Sequence, residues 1–348
     1  SRSEPIPPLR APPAEQSELP SGSSLVTASQ SQLIWRKFKR HRLAVASGIV
    51  VLLMYFVALF VEFFAPGLPN QHDSEFTHAP PQRIRFFRQT DDGLRIGAFA
   101  YALESEIDPE RARRVYTPQR DEIIPLGWFV QGPEYEMWGG LFTGSLHLFG
   151  PENPDDKVYL LGADRLGRDV LSRIVYGTRV SMSIGLVGVF ISLILGVALG
   201  GVSGYFGGVA DTFIQRVIEF LRSIPEIPLW MGLAAAIPLT WPPLRVYFAI
   251  TIILSLIGWT GLGREVRGRF LSLRGEDFVT AARLDGASEL RVIGVYLVPS
   301  FTSHIIASLT LAIPQMILSE TALSFLGLGL RPPVVSWGVL LQEADRKS

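Results

Sequence analysis

Four charged residues stand close together in an otherwise apolar stretch, IQRVIEFLRSIPEIPLW: Arg216, Glu219, Arg222 and Glu226. On a helix, spacings of three bring Arg216 beside Glu219 and Glu219 beside Arg222, so partial local neutralisation is available. Charge inside an apolar span is costly and marks a polar path by default. Glu219, Arg222 and Glu226 are therefore candidates for lining such a path, with Glu226 deepest. Arg216 reads as a side chain that snorkels to the surface. A second cluster lies in EDFVTAARLDGASELRVIGVYLVPS, where small residues sit beside acids. Asp277 is placed to cap a short helix and Gly286 to end its first half. Ala281, Ala282, Asp285, Gly286 and Glu289 then fall largely on one face. Such a face docks closely into a groove on another protein; burial against the chain's own membrane helices is the alternative.

Soluble-type catalysis finds no support. The chain has no phosphate-loop G-x-x-x-x-G-K-[ST], no H-E-x-x-H and no G-x-S-x-G. Its five histidines (His41, His72, His78, His147 and His304) are scattered without ligand spacing, and there is no cysteine. No catalytic residue, metal site or cofactor-binding residue is expected, and the chain reads as a non-enzyme. Composition points the same way: of 348 residues 48% are hydrophobic and 18% charged, with mean hydropathy +0.28. A soluble domain carries about 25% charged residues, so a membrane protein is the leading class. Thirty-two basic residues balance 32 acidic ones, which argues against a nucleic-acid partner.

The elements that must position these residues are apolar spans. The first is Leu43–Phe64, LAVASGIVVLLMYFVALFVEFF, with Glu62 near its far end. Its length suffices to cross a bilayer of about 30 Å, and it is too long and begins too late for a signal peptide. Four more follow at roughly Ser181–Tyr205, Asp211–Leu239, Val246–Leu262 and Phe301–Leu328. Pro225 and Pro228 interrupt the third and Pro314 the fifth, so kinks are expected. Arg36, Lys37, Lys39, Arg40 and Arg42 precede the first span, and Arg264, Arg267, Arg269, Arg274, Arg283 and Arg291 lie in the loop 263–299. Both clusters predict a cytoplasmic N-terminus and a cytoplasmic 263–299 loop. Gly196, Gly200, Gly204 and Gly208, spaced by four, form a face for close helix approach, either at a subunit or pore interface or within the chain. Residues 1–31 read as a flexible cytoplasmic tail and 32–64 as a basic segment leading into the first membrane helix. Residues 65–159, within a polar stretch reaching to about Arg179, read as an extracytoplasmic insertion with some strand content, and 160–348 as the core. The fold class expected is an all-α membrane protein, a polytopic helical bundle.

At the second cluster the sequence resembles the permease subunits of bacterial ABC importers, marked by E-A-A, three residues, Gly, nine residues, then I-x-L-P. Here Thr280-Ala281-Ala282, Gly286 and Tyr296-Leu297-Val298-Pro299 occupy that frame. Thr replaces the Glu, Tyr the Ile and Val the Leu. Two further stretches are similar to the dipeptide/oligopeptide branch and to the second, C-type permease of its pair: LLGADRLGRDVLSRIVYGTRVSMSIGL (160–186) and ETALSFLGLGLRPPVVSWGVLLQEA (320–344). The resemblance implies a bundle of the type I importer kind in the bacterial inner membrane. It implies a coupling role toward ATPase subunits for Asp277, Thr280, Ala281, Ala282, Asp285, Gly286, Glu289 and Pro299. The implied partners are a homologous permease, two ATPase subunits that carry ATP and Mg, an extracytoplasmic solute-binding protein and membrane lipid. Peptides are the implied cargo, with oligosaccharides, opine-like compounds or nickel carried by some relatives. Six membrane helices are implied against five read here, so a final helix is expected beyond DRKS. The rival class is a stand-alone secondary transporter or channel built on the same intramembrane acids; a third, a membrane-anchored sensor, would place function in residues 65–179.

Overall fold

The computed structural model describes residues 39–40, 42–90, 93–109 and 113–345. The chain divides into two units, residues 1–50 and 51–348. Of the first, the described part is Lys39, Arg40 and the opening turns of helix α1 (Arg42–Leu59). The tail 1–31, Arg36 and Lys37 lie outside the described residues.

Within the second unit, α2 (Val170–Phe206), α5 (Pro243–Leu273) and α7 (Thr302–Phe325) are long and apolar enough to cross a membrane. In α1 the run of that character is the shorter Val45–Leu59. The expected third span is not one helix. It is divided into α3 (Gly208–Ser223) and α4 (Glu226–Ala235), with Ile224 and Pro225 extended between them. Proline lacks an N–H and pushes the residue before it out of helical geometry, so the break falls at Ile224. Pro314, by contrast, lies inside an unbroken α7. Helix α2 begins at Val170, before the expected span, with the Asp169 carboxylate accepting from Ser172 N at 2.8 Å as its cap. The short α6 (Asp277–Leu284) and α8 (Trp337–Asp345) complete the helices that matter here.

The all-α expectation is corrected by a four-stranded antiparallel sheet in the order β1 (Arg85–Thr90), β2 (Gly93–Asp108), β3 (Arg113–Met137), β4 (Phe142–Pro151). Consecutive strands pair, so each connection is a hairpin. Aromatic and β-branched residues favour the pleated surface. Ala100, Ile124 and Leu126 form a small buried core on the sheet. His147 pins the sheet to the end of the first apolar segment: its ring nitrogens lie 2.6 Å from the Ala65 carbonyl and 3.0 Å from that of Pro133.

The glycine face of α2 packs inside the chain, against α5. A Cβ at Gly200 would come within 2.4 Å of the Gly263 carbonyl oxygen, and one at Gly204 within 2.6 Å of that of Arg267. Backbones this close exclude any side chain. Gly208 does not join the face, because α2 ends at Phe206 and α3 starts at Gly208 in open space. Beneath the α2–α5 pair, Ile184, Ile250, Leu254 and Leu323 are almost fully buried.

Candidate functional site

Helix α6 and the stretch after it are built on buried anchors. Val279 and Ala282 of α6, with Val292 and Leu297 beyond it, join Phe270 and Phe301 in one apolar cluster. The helix starts at Glu276 as its N-cap; Asp277 sits in the first turn, not at the cap expected for it. There its charge still favours the positive end of the helix. The Ala282–Gly286 spacing has a local cause. Ala287 N–H bonds to the Ala282 carbonyl at 3.0 Å and Gly286 N–H to that of Arg283 at 3.0 Å. These two bonds close a helix end that needs a left-handed residue, and Gly286 supplies it at φ +80°. Its Cα faces open space.

Sorting the candidate residues by exposure splits them. Asp277, Thr280, Ala281, Asp285, Gly286, Glu289 and Pro299 are on the surface. Ala282 is not: it is an inward anchor, because a helix resting on its own core must bury one stripe. Glu289 is turned to the chain itself and accepts the Tyr205 hydroxyl proton. The same Tyr205 oxygen accepts from Arg283 Nε at 3.2 Å, and the guanidinium lies 5.0 Å from the tyrosine ring. Tyr205 thus ties the end of α2 to both sides of the α6 turn. Phe278, Leu284 and Leu290 add exposed apolar surface on the same loop. The expected loop 263–299 is also shorter than read, since α5 stays helical through Leu273. Arg267 on that extension holds Asp211 by two bonds of 2.6 and 2.7 Å.

The path candidates part company. Arg216 and Glu219 pair with each other at 2.8 Å on an exposed face. Arg222 and Glu226 instead line a cavity of about 190 Å³ bounded by α2, α4, α5 and α7, together with Trp230, Gln315 and Ser319. The break at Pro225 puts these two residues at the mouth of the space between helices. The Trp230 indole N–H is buried with no hydrogen-bond partner among the described residues. The helical period shows Trp230 only as an apolar residue, and nothing in the sequence flags the orphan.

Three clusters escape a reading by spacing. Asp164, Arg168, Arg173 and Glu343 close on one another: Arg168 Nε donates to Asp164 at 2.7 Å, and Arg173 Nη1 donates to Asp164 at 2.6 Å and to Glu343 at 2.5 Å. Burial opposes ionisation of Asp164, but the Arg168 and Leu166 backbone N–H groups and the Arg168 guanidinium outweigh it and hold the carboxyl below the usual carboxylate range. Burial likewise opposes ionisation of Glu343, and Arg173 and Arg168 bring it below its usual value. The second cluster resolves Glu62 in the first apolar span. Arg179 donates to both its oxygens at 2.5 and 2.6 Å and caps the Ala58 and Leu59 carbonyls at 2.9 Å each. In the third, the fully buried Glu320 accepts from Ser324, Ser336 and Ser181 hydroxyls at 2.8, 2.9 and 3.3 Å. Each cluster is closed by a partner distant in the chain, Glu343 for the first, Arg179 for Glu62 and Ser181 for Glu320; apart from Glu62, these residues lie in the two signature stretches, whose similarity marked them without saying why.

Among the described residues no group of His, Cys, Asp or Glu is placed to hold a metal ion. Residues 192–345 match a family model described as "Binding-protein-dependent transport system inner membrane component", and residues 29–81 match "N-terminal TM domain of oligopeptide transport permease C". The chain is 36% identical over 280 residues to the dipeptide transport system permease protein DppC of Haemophilus influenzae, covering 78% of this chain and 85% of that one. It is 37% identical over 190 residues to DppC of Bacillus subtilis, covering 55% and 58%. With the oligopeptide transport system permease protein OppC of Bacillus subtilis it shares 32% over 197 residues, covering 57% and 63%. The chain therefore spans less than two thirds of the length of these two Bacillus relatives. It belongs to the binding-protein-dependent transport permeases, in their dipeptide/oligopeptide C-type branch.

Proposed function

We propose that this chain is the C-type permease subunit of an ATP-driven importer for peptides or similar small solutes. It would form half of a translocation path across the bacterial inner membrane, with the N-terminus and the 276–291 turn on the cytoplasmic side and the sheet-bearing insertion outside. Its partners would be a second permease, two ATPase subunits holding ATP and Mg, and an extracytoplasmic solute-binding protein. The observation that carries the reading is the α6 turn. Its inner residues Val279 and Ala282 are locked into the core, while Thr280, Ala281, Asp285 and Gly286 stay bare on the outer side.

Closure of the ATPase pair on ATP would drag this turn. Tyr205, bonded to Glu289 and Arg283, carries the displacement into the end of α2. Helix α2 moves with α5, because their backbones touch at Gly200 and Gly204. A two-state bundle then switches between facing in and facing out, each state favoured by its own contacts with the ATPase pair. The cavity at Arg222, Glu226 and Trp230 is the segment of the path proposed here, and Glu219, paired with Arg216 on an exposed face, is left at its edge.

Gly286→Arg tests the coupling role in the reconstituted importer. The site has room for a Cβ, so the fold tolerates the change apart from the strain of a left-handed residue. The expected outcome is uptake lost with the subunit still folded. Full uptake with intact ATPase assembly would overturn the role. Uptake driven by a proton gradient through the single chain would favour a secondary transporter instead.

A further inference from the structure

Strand β3 has two ends of opposite character. Around the β2–β3 connection, ten of the nineteen residues from Glu104 to Glu122 are charged; from Met137 to Leu146, MWGGLFTGSL, none is. At that uncharged end Met137 pairs with Phe142 across the β3–β4 turn. Trp138, Gly139 and Gly140 all have positive φ, so the turn is held in an unusual backbone shape rather than left loose. Its side chains point outward: Leu141 is 75% exposed, Phe142 62% and Trp138 40%.

The turn is joined to the end of the first apolar helix. Trp138 Nε1 donates to the Leu59 carbonyl at 3.0 Å. Ring contacts run without a gap from helix to turn, Phe56–Phe60 at 5.0 Å, Phe60–Trp138 at 5.5 Å and Trp138–Phe142 at 5.7 Å between centroids. Alongside them Phe63 meets Phe129 at 6.1 Å. The flank of α1 that leads into this ladder exposes Leu52, Leu53 and Phe56, and the matching family model identifies the segment as a membrane one. The exposed face of the turn is thus continuous with a lipid-facing surface, at the level where the helix ends.

We propose that the β3–β4 turn is an interfacial anchor: it seats Trp138, Leu141 and Phe142 among lipid headgroups and upper acyl chains and so fixes the height of the sheet on the membrane. A tryptophan with a satisfied N–H and an apolar body suits the boundary between water and hydrocarbon. No charge lies within Met137–Leu146, so sinking these residues is cheap, while the Glu136 carboxylate, 3.6 Å from where a Cβ on Gly140 would stand, limits the depth; the charged far end of β3 keeps the other pole of the sheet in water. The anchor does not depend on what the chain transports.

The chain's lack of cysteine makes the test clean. Leu141→Cys and, separately, Phe142→Cys are spin-labelled in the full chain in lipid nanodiscs, with Ile107→Cys on β2, paired with Arg114 at the opposite end of β3, as reference. Collision rates with oxygen, which partitions into lipid, and with a water-soluble nickel chelate are then measured. The anchor predicts oxygen collisions several-fold above nickel collisions at 141 and 142, and the reverse at 107. Nickel accessibility at 141 and 142 equal to that at 107 places the turn in water and overturns the proposal. Exclusion of both reagents means that protein covers the turn, and overturns it as well.

Discussion

The two ends of α2 handle charge in opposite ways. At its start Asp164, Arg168, Arg173 and Glu343 are buried and neutralise one another, and the nearby Arg179 is matched to Glu62. At its finish Tyr205 reaches a turn whose Asp277, Asp285, Leu284 and Leu290 stand in the open, with Arg283 and Glu289 held by the tyrosine alone in the bonds seen. The first end pairs its charges from within the chain, although Arg173 Nε and Asp169 Oδ1 are buried without a hydrogen-bond partner among the described residues. The second is anchored underneath and bare on top, and it is the surface proposed to meet a partner. Pairing therefore separates scaffold from contact here better than charge content does, since both ends are rich in Arg and acids.

Arg173→Met should break the first end outright. Removing one member of a buried ion cluster leaves Asp164 and Glu343 with Arg168 as their remaining shared cation, at a cost of about 3–5 kcal/mol. Thermal unfolding of the chain in nanodiscs would read this as a large fall in midpoint; a fall no greater than that of a loop variant would erase the contrast. Tyr205→Phe should cost less, about 1–2 kcal/mol, by removing one hydroxyl shared between Glu289 and Arg283. It should also loosen the turn, visible as faster amide exchange across 277–291 with the start of α2 unchanged.

Acid should weaken the first end. Asp164 and Glu343 have carboxyls held below their ordinary values. Their contribution is complete above the unfolded-state value, about 4, and drains away as pH falls through the lower folded-state value. Exchange protection near 164–173 should therefore fall below about pH 4, and Arg173→Met, which keeps only Arg168 against the two carboxylates, should start from lower protection. The smallest stability effect belongs to Leu284→Ser with Leu290→Ser, expected within about 0.5 kcal/mol of the parent because both side chains are largely exposed. In the reconstituted importer the same pair should weaken the link between ATP hydrolysis and uptake. A stability loss as large as that of Arg173→Met would mean the turn is scaffold after all.

Several features were legible in the sequence because they are local. The Ala282–Gly286 spacing is a helix ending that needs a left-handed residue, and backbone sterics dictate it wherever it occurs. Pro225 announces a break for the same reason, although a window of mean apolarity runs straight through it and reads one span where there are two helices. Glu62 stands in the first span with no visible partner in the sequence, because Arg179, which pairs with it, is 117 positions away. Asp277 was misplaced by one residue, a distance that cap patterns do not resolve. The sheet was read only as strand content, since hairpin pairing depends on registers such as Met137 with Phe142 that hydrophobic alternation leaves open.

The sequence by itself determined the membrane class, the proline break, the α6 helix ending and the likeness to transport permeases. All of these follow from composition or from neighbours within a turn or two. Tertiary structure decided whether the α2 glycines serve this chain or another, which of Glu219, Arg222 and Glu226 lines a cavity, and that Ala282 faces inward. It also matched Glu62 to Arg179 and left the Trp230 N–H without an acceptor among the described residues. Each of these depends on which distant residue arrives at hydrogen-bonding or van der Waals range, and spacing along the chain carries no such distance.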